Sequence, residues 1–327
     1  MKTMKIAALT IVTALSLSAC GGGGGGGDSS TPSGNNNSGG TPAQPNQDKS
    51  TIVTQVAAST YAASSEQATA YSILNSERQQ CGFGLLAQNS NLDTAAAAHS
   101  LYLSTNSSEM GHYEVSGHTN YYASAPADRA TKAGYSYSSL GEGVVQAQGA
   151  AIGMRWLLSA PYHLLGAMGS YKDVGVGYSI YSGFTVGALT VDYGSVGNGQ
   201  TVDSKTVLTY PCNGSTQVAT GYTNEDISYT GSGSGSSGQP VLIQVNPANT
   251  LKITSYAIYD GVGNQINTIL LTTDNDPQHM VGKHQALIIP PAYLQHNANY
   301  TVNVSGTNNG VAFTNVSFQF KTGNVGP

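Results

Sequence analysis

Charged side chains are scarce in this sequence of 327 residues. Only 12 residues are Lys or Arg and 17 are Asp or Glu, which is 9% of the chain against about 25% in a typical soluble domain. The net charge is −5 and the pI is near 5.7. Because electrostatic binding of nucleic acid needs a basic face, this balance predicts no nucleic-acid partner.

Familiar catalytic motifs are also missing. The sequence contains no HExxH zinc-protease motif, no GxSxG turn and no Walker phosphate loop. Pro211-Cys212 lacks the second cysteine of the zinc deaminase signature. With no complete catalytic constellation, the sequence favours a protein that is not an enzyme.

The first twenty residues have the pattern of a lipoprotein leader. Two lysines precede the 12 mostly apolar residues 6–17, too few for the roughly 20 residues of a membrane-spanning helix. Leu17-Ser18-Ala19-Cys20 resembles the lipobox of bacterial lipoproteins. The resemblance implies a signal peptide over residues 1–19 and a lipid on Cys20. Gly21 favours sorting to the outer membrane, so we expect a cell-envelope protein that is anchored to the membrane.

The remaining chain divides into a tether and two domains. Residues 20–51 carry the anchor and a segment that begins with seven glycines and continues with Ser, Asn and Pro, a composition that predicts disorder. Residues 52–196 show helical periodicity followed by a strand pair. Residues 205–327 contain short alternating strands, which predict a β-sandwich.

In the first domain, caps and spacing locate the elements. Apolar residues between Ala70 and Cys81 share one helix face, and Gly82 is expected to end that helix. Asn91 is the expected N-cap of a second helix, which carries His99 among apolar neighbours as a core histidine. Further helices are expected over 126–132 and 147–158, and paired strands over 171–181 and 184–193.

The second domain shows period-two strands around residues 251, 300 and 316, with Asn309-Gly310 as a turn signal. Leu294 followed by Tyr300 resembles the tyrosine corner of Ig-like and fibronectin-like domains. The chain has three cysteines, and lipidation of one leaves Cys81 and Cys212. Because two thiols in an oxidising envelope usually pair, we predict a disulfide between them.

The central segment also carries an ordered series of short motifs: Leu74-Asn75-x-x-Arg78, His99-Ser100, Gly111-His112-Tyr113-Glu114, Asp128-Arg129, Gly134-Tyr135, Gly141-Glu142-Gly143, Trp156 to His163 and Val174-Gly175-Val176-Gly177. The series resembles the CAP superfamily of cysteine-rich secretory, antigen 5 and pathogenesis-related proteins. The resemblance covers residues 52–194. It implies an α+β fold, a three-layer α-β-α sandwich, here followed by the all-β Ig-like or fibronectin-like sandwich.

The same resemblance implies a cleft of histidines and acids. Glu142 and His163 match two of its positions. Two histidines compete for the third, because His112 lies in a His-Tyr-Glu sequence and His118 lies eleven residues before Arg129. The His-Tyr-Glu context favours His112, with Glu114 as a possible fourth ligand.

Neutral imidazoles with one or two carboxylates suit zinc or another divalent metal. The alternative is a hydrogen-bonded polar cluster that organises the cleft without metal. Gly143 in place of the family's usual Asn, and Leu164 in place of Arg after the second histidine, put metal binding in doubt more than the fold.

The function predicted from the sequence is an envelope-anchored binding module for a small extracellular ligand, with lipid or sterol as one class that the family suggests. The second domain would then be a spacer or an adhesion partner. One alternative is a metal-dependent hydrolase or peptidase at the cell surface. Another is a purely structural surface protein.

Overall fold

The computed structural model describes residues 49–107, 109–223 and 235–326. The predicted signal peptide, Cys20 and most of the predicted tether lie outside these ranges. Within them, no helix has the length and apolar character needed to cross a membrane. The helices are α1 (Glu66–Gln80), α2 (Ser90–Thr105), α3 (Pro126–Lys132), α4 (Ala150–Leu157) and α5 (Pro161–Ala167). The strands of the first domain are β1 (Ala87–Gln88), β2 (Ser139–Ala147), β3 (Asp173–Ile180) and β4 (Gly187–Ser195).

The first domain is a three-layer sandwich built on one sheet. Its strand order is β1-β3-β4-β2, with β1 and β3 parallel and the other pairs antiparallel. Helices α2 and α3 lie on one face, and α1, α4 and α5 lie on the other or at its β2 edge. The predicted α-β-α architecture is therefore confirmed.

Local caps explain where the helices begin and end. The Ser65 side chain accepts a hydrogen bond from the backbone of Ala68 and so caps the start of α1, and Gly82 follows the end of that helix with a positive φ of 78°. Helix α3 begins with Pro126, whose missing N–H costs nothing in the first turn. The helix predicted from residue 147 starts instead at Ala150, because Ala147 still pairs with Gly187 in the sheet.

Two glycines let α2 approach the sheet closely. A Cβ added to Gly175 would lie 2.1 Å from the backbone of Leu92, and one added to Gly177 would lie 2.2 Å from the carbonyl oxygen of Ala96. Both distances are far inside van der Waals contact, so a side chain at either position would push the helix away. The close approach holds His99, which follows on the same helix, against the sheet.

The second domain is a β-sandwich, as predicted. Its strands are β5 (Leu208–Tyr210), β6 (Ser215–Val218), β7 (Gly221–Thr223), β8 (Ser236–Gly238), β9 (Val241–Gln244), β10 (Leu251–Tyr259), β11 (Gln265–Ile266), β12 (Ile269–Thr272), β13 (Gln285–Ile289), β14 (Asn299–Asn308) and β15 (Val311–Thr322). One sheet has the order β11-β10-β14-β15-β6 and the other β12-β13-β9-β5, with β7 and β8 as a separate pair. Buried Val, Ile and Phe side chains of the two larger sheets form the core between them.

Two local signals in this domain are also confirmed. Asn309 and Gly310 have positive φ values of 51° and 80° and form the tight turn between β14 and β15. The hydroxyl of Tyr300 accepts a hydrogen bond of 2.8 Å from the backbone N–H of Gln295, five residues earlier. This contact is the tyrosine corner expected from the sequence.

The two domains share one hydrophobic core. Leu242, Leu271 and Leu287 of the second domain pack in the same cluster as buried residues of α1, α4 and α5. The predicted disulfide joins Cys81, at the end of α1, to Cys212, which lies between β5 and β6. The shared core was not expected from the sequence, which suggested a spacer.

Candidate functional site

Seven ionisable side chains form one buried cluster at the β2 side of the first domain: His99, His112, Glu114, Arg129, Glu142, His163 and Asp192. None of them is more than 3% exposed. They come from α2, the loop after it, α3, β2, α5 and β4, so the complete α-β-α sandwich is needed to assemble them. We call these seven residues the buried cluster.

Glu142 of β2 lies at the centre of the cluster. Its Oε1 atom accepts a hydrogen bond of 2.8 Å from Nδ1 of His112, and its Oε2 atom accepts one of 2.6 Å from Arg129. Burial alone would raise the pKa of Glu142, but the charge of Arg129 and the neighbouring His99 and His112 hold that pKa below its ordinary value. Glu142 is therefore ionised, with both oxygens engaged.

The contact with Glu142 also fixes the tautomer of His112. Because an ionised carboxylate can only accept, Nδ1 of His112 carries the proton. Burial lowers the pKa of His112 and keeps its ring neutral, so Nε2 has a lone pair. This Nε2 atom is buried and has no hydrogen-bond partner among the described residues. The His112 ring stacks on that of His163, with 5.9 Å between ring centroids.

His99 and Glu114 hold the loop that carries His112. Nε2 of His99 donates to the carbonyl oxygen of Gly111 over 2.8 Å, and Nδ1 lies 2.9 Å from Oε1 of Glu114. The other oxygen of Glu114 accepts hydrogen bonds from the backbone of Tyr122 and Ala123. His99 is thus the satisfied core histidine that its sequence context predicts.

Asp192 was not identified from the sequence. It lies in β4 directly opposite Glu142 in the strand pairing. Burial, and then repulsion by the charge of Glu142, raise the pKa of Asp192 well above its ordinary value. The signal in the sequence is a lone carboxylate within the apolar run of β4, a strand that is buried over its whole length.

The structure places the two competing histidines in different surroundings. His112 contacts Glu142 and His163 within the cluster, whereas the His118 side chain is 42% exposed and pairs with Glu109 at 2.6 Å. Glu114 lies within the cluster, 3.7 Å from Arg129. Their roles as ligands stay predictions.

A small apolar pocket lies next to the cluster. Its volume is about 30 Å³. It is lined by Tyr113, Ala125, Pro126, Ala127, Tyr137, Leu140 and Gly141. Tyr113 follows His112 in the chain and Gly141 precedes Glu142, so the pocket and the cluster share the same backbone segments.

The cluster in this conformation does not fit a bound metal ion. Ligation needs several donors that converge on one point, and the described ranges contain no such group of three His, Cys, Asp or Glu side chains. Arg129 and His112 already occupy both oxygens of the carboxylate that would complete the set. Zinc at this site stays a prediction.

The sandwich and its buried His and Glu side chains lie in a segment that matches a known family. The family model described as CAP, cysteine-rich secretory protein family, matches residues 71–193. These residues of the first domain are therefore similar to that family, and the β-sandwich domain follows them.

Comparison with solved structures adds two similar proteins. One is an extracellular protein containing an SCP domain from Bacillus anthracis, with 18% identity, a TM-score of 0.33 and 40% of each chain covered. The other is an outer surface protein from Borrelia burgdorferi, with 15% identity, a TM-score of 0.36 and coverage of 41% of this chain and 96% of that one. The chain thus spans 40% of the length of the Bacillus protein. A search of the curated proteins found no match.

Proposed function

We propose that this chain is an extracellular binding module, anchored in the cell envelope, whose CAP domain seats an apolar group of a small ligand beside the buried cluster. The observation that carries the proposal is the apolar pocket between Tyr113 and Tyr137. Apolar walls with few polar groups nearby are typical of sites that bind small molecules.

The cluster supports binding better than hydrolysis. Glu142 is held as an ion by Arg129 and His112, and its lowered pKa makes it a weak base for activating water. The disulfide-bonded Cys81 and Cys212 cannot act as nucleophiles. The surrounding loop is instead held rigidly by Glu114, which favours a preformed binding surface.

The size and lining of the pocket limit the ligand. About 30 Å³ accommodates one small apolar group rather than a whole lipid or sterol. The rest of such a ligand would lie along the surface past Tyr113, which is 51% exposed. A fatty acid or sterol with one end in the pocket is the ligand class we propose.

An envelope location belongs to the same proposal. The disulfide between Cys81 and Cys212 fits an oxidising compartment. Lipidation at Cys20 would attach the chain to the membrane, most simply the outer membrane. Cys20→Ser is expected to move the protein from the membrane fraction to the soluble fraction.

The binding proposal is tested by titrating the mature protein with cis-parinaric acid, a fluorescent fatty acid, and with dehydroergosterol. We expect saturable binding of at least one probe. Ala127→Phe fills the pocket and should weaken binding by about tenfold, the value of roughly two buried methylenes. Ala151→Phe changes an exposed alanine of α4 and serves as the matched control. Absence of saturable binding, or equal binding by both variants, would contradict the proposal.

The hydrolase, the metal site and the structural role are each tested by a separate experiment. A peptidase activity that is lost in folded Glu142→Ala and His163→Ala variants would favour the hydrolase. Calorimetric titration of metal-stripped protein with zinc tests the metal prediction, since metal binding must release Glu142 from Arg129 or use the imidazoles without it. If no probe, metal or peptide has an effect, the structural alternative is favoured.

A further inference from the structure

Helix α5, which carries His163, lies between the two domains. All seven of its residues are buried. Leu164 and Leu165 belong to the shared hydrophobic core, together with Leu271, Leu287 and Ile289 of the second domain. The position of His163 therefore depends on packing from both domains.

Polar contacts from the β-sandwich domain fix the start of α5. Gln239 donates a hydrogen bond of 2.9 Å to the carbonyl oxygen of Leu158. Ser159 donates one of 3.2 Å to the carbonyl oxygen of Gly221. These contacts hold the turn that connects α4 to α5 against the second domain.

The most specific of these contacts lies one residue before His163. The hydroxyl of Tyr162 donates a hydrogen bond of 2.6 Å to Oδ1 of Asp276, and both residues are buried. Asp276 is itself fixed, because its oxygens accept hydrogen bonds from the backbone of Gln278, Met280 and Val281. The acceptor is therefore a rigid point on the second domain.

The far end of α5 is hydrogen-bonded to the first domain. Arg78 of α1 donates hydrogen bonds of 2.7 and 3.0 Å to the carbonyl oxygens of Ala167 and Gly169. His163 thus lies on a short helix whose start is hydrogen-bonded to the second domain and whose end is hydrogen-bonded to α1. A shift of the Asp276 end would move the His163 ring relative to His112.

We infer that contacts from the β-sandwich domain hold the buried cluster in its arrangement. Within these contacts, Asp276 acts through Tyr162 as a positioning residue for His163. The second domain is then not a spacer. The inference does not depend on which ligand the pocket takes.

Labelling with diethyl pyrocarbonate, followed by peptide mass spectrometry, tests this in the mature protein. In the wild type, exposed His118 reacts and buried His163 and His99 are protected. Tyr162→Phe removes one hydroxyl and leaves the ring. Labelling of His163 is expected to rise about fivefold, the change in a local opening equilibrium on loss of one ordinary hydrogen bond. Labelling of His99, beneath α2, should not change.

Tyr300→Phe is the matched control, because it removes a buried tyrosine hydroxyl that bonds within the second domain only. It should leave His163 protected. Gln239→Leu is a second variant at the same helix end and should also expose His163 selectively. The inference is overturned if His163 stays protected in Tyr162→Phe and Gln239→Leu. It is equally overturned if His99 and His163 become reactive together, which indicates general unfolding.

Discussion

Two arginines of the first domain, Arg129 and Arg78, are equally buried but have opposite surroundings. Neither is exposed at all. Arg129 faces carboxylates, at 2.6 Å from Glu142 and 3.7 Å from Glu114. Arg78 faces the carbonyl oxygens of Phe83, Gly84, Ala167 and Gly169. The Arg129 site needs the positive charge, whereas the Arg78 site needs hydrogen-bond donors in a fixed geometry.

The surroundings of Arg78 show what a structural cation looks like in this fold. Burial lowers the pKa of Arg78 to about 9, so it stays charged at neutral pH although no carboxylate of the described residues pairs with it. Its planar head joins the loop after α1 to the end of α5 through backbone oxygens. By contrast, Arg129 compensates acids in the cluster that we propose to be functional.

The largest predicted effects come from replacing either arginine by methionine. Arg129→Met leaves buried carboxylates without their cation and should cost about 3–5 kcal/mol of unfolding free energy at pH 7. Arg78→Met leaves four carbonyl oxygens without a donor and should cost at least about 3 kcal/mol. Urea unfolding of each variant measures both, and a loss below about 1 kcal/mol at either site would contradict its assignment.

Lysine at the same positions should separate charge from geometry. Arg129→Lys keeps a cation beside Glu142 and is expected to cost only about 1 kcal/mol. Arg78→Lys keeps the charge but cannot reach all four carbonyl oxygens, so a loss of about 2 kcal/mol should persist. If both lysine variants lose the same stability in the same urea experiment, the proposed difference between the sites is wrong.

Asp192→Asn differs from the arginine variants in sign, because it should stabilise the folded chain. Because its pKa is raised above that of the unfolded chain, the folded wild type keeps a proton that the unfolded chain releases, and stability falls as pH rises above about 4. The amide of the Asp192→Asn variant does not titrate, so this loss of stability with rising pH disappears. The variant should match the wild type near pH 4 and become more stable than the wild type as pH rises toward 7. Thermal unfolding between pH 4 and 8 measures this gain, and a variant less stable at pH 7 would contradict it.

Local signals predicted much of the fold. The disulfide, the Asn309-Gly310 turn and helix 126–132 follow from residues close to each other or from simple pairing of thiols. The expected N-cap of α2 was wrong by two residues. Asn89 caps the helix because its side chain reaches the backbone of Leu92, while Asn91 donates to Gly134.

Contacts between distant segments were not predicted. Arg129 was part of a recognised motif, but its pairing with Glu142 depends on how α3 packs against β2. The bond from Tyr162 to Asp276 joins residues 114 positions apart, in different domains. No local sequence pattern around Arg129 or Tyr162 reveals the partner residue. These contacts are therefore visible only in the folded structure.

The most direct test of charge compensation by Arg129 is the pH dependence of the loss of stability in Arg129→Met, with Arg78→Met as reference. Arg129 is the strongest of the influences that lower the pKa of Glu142, so without it that pKa rises relative to the wild type. The loss should then be greatest at neutral pH and shrink as pH falls toward 4, because a protonated Glu142 needs no cation. The loss in Arg78→Met should stay constant over that range. Equal pH dependence in both variants would contradict the assignment of Arg129 as the cation that balances the buried cluster.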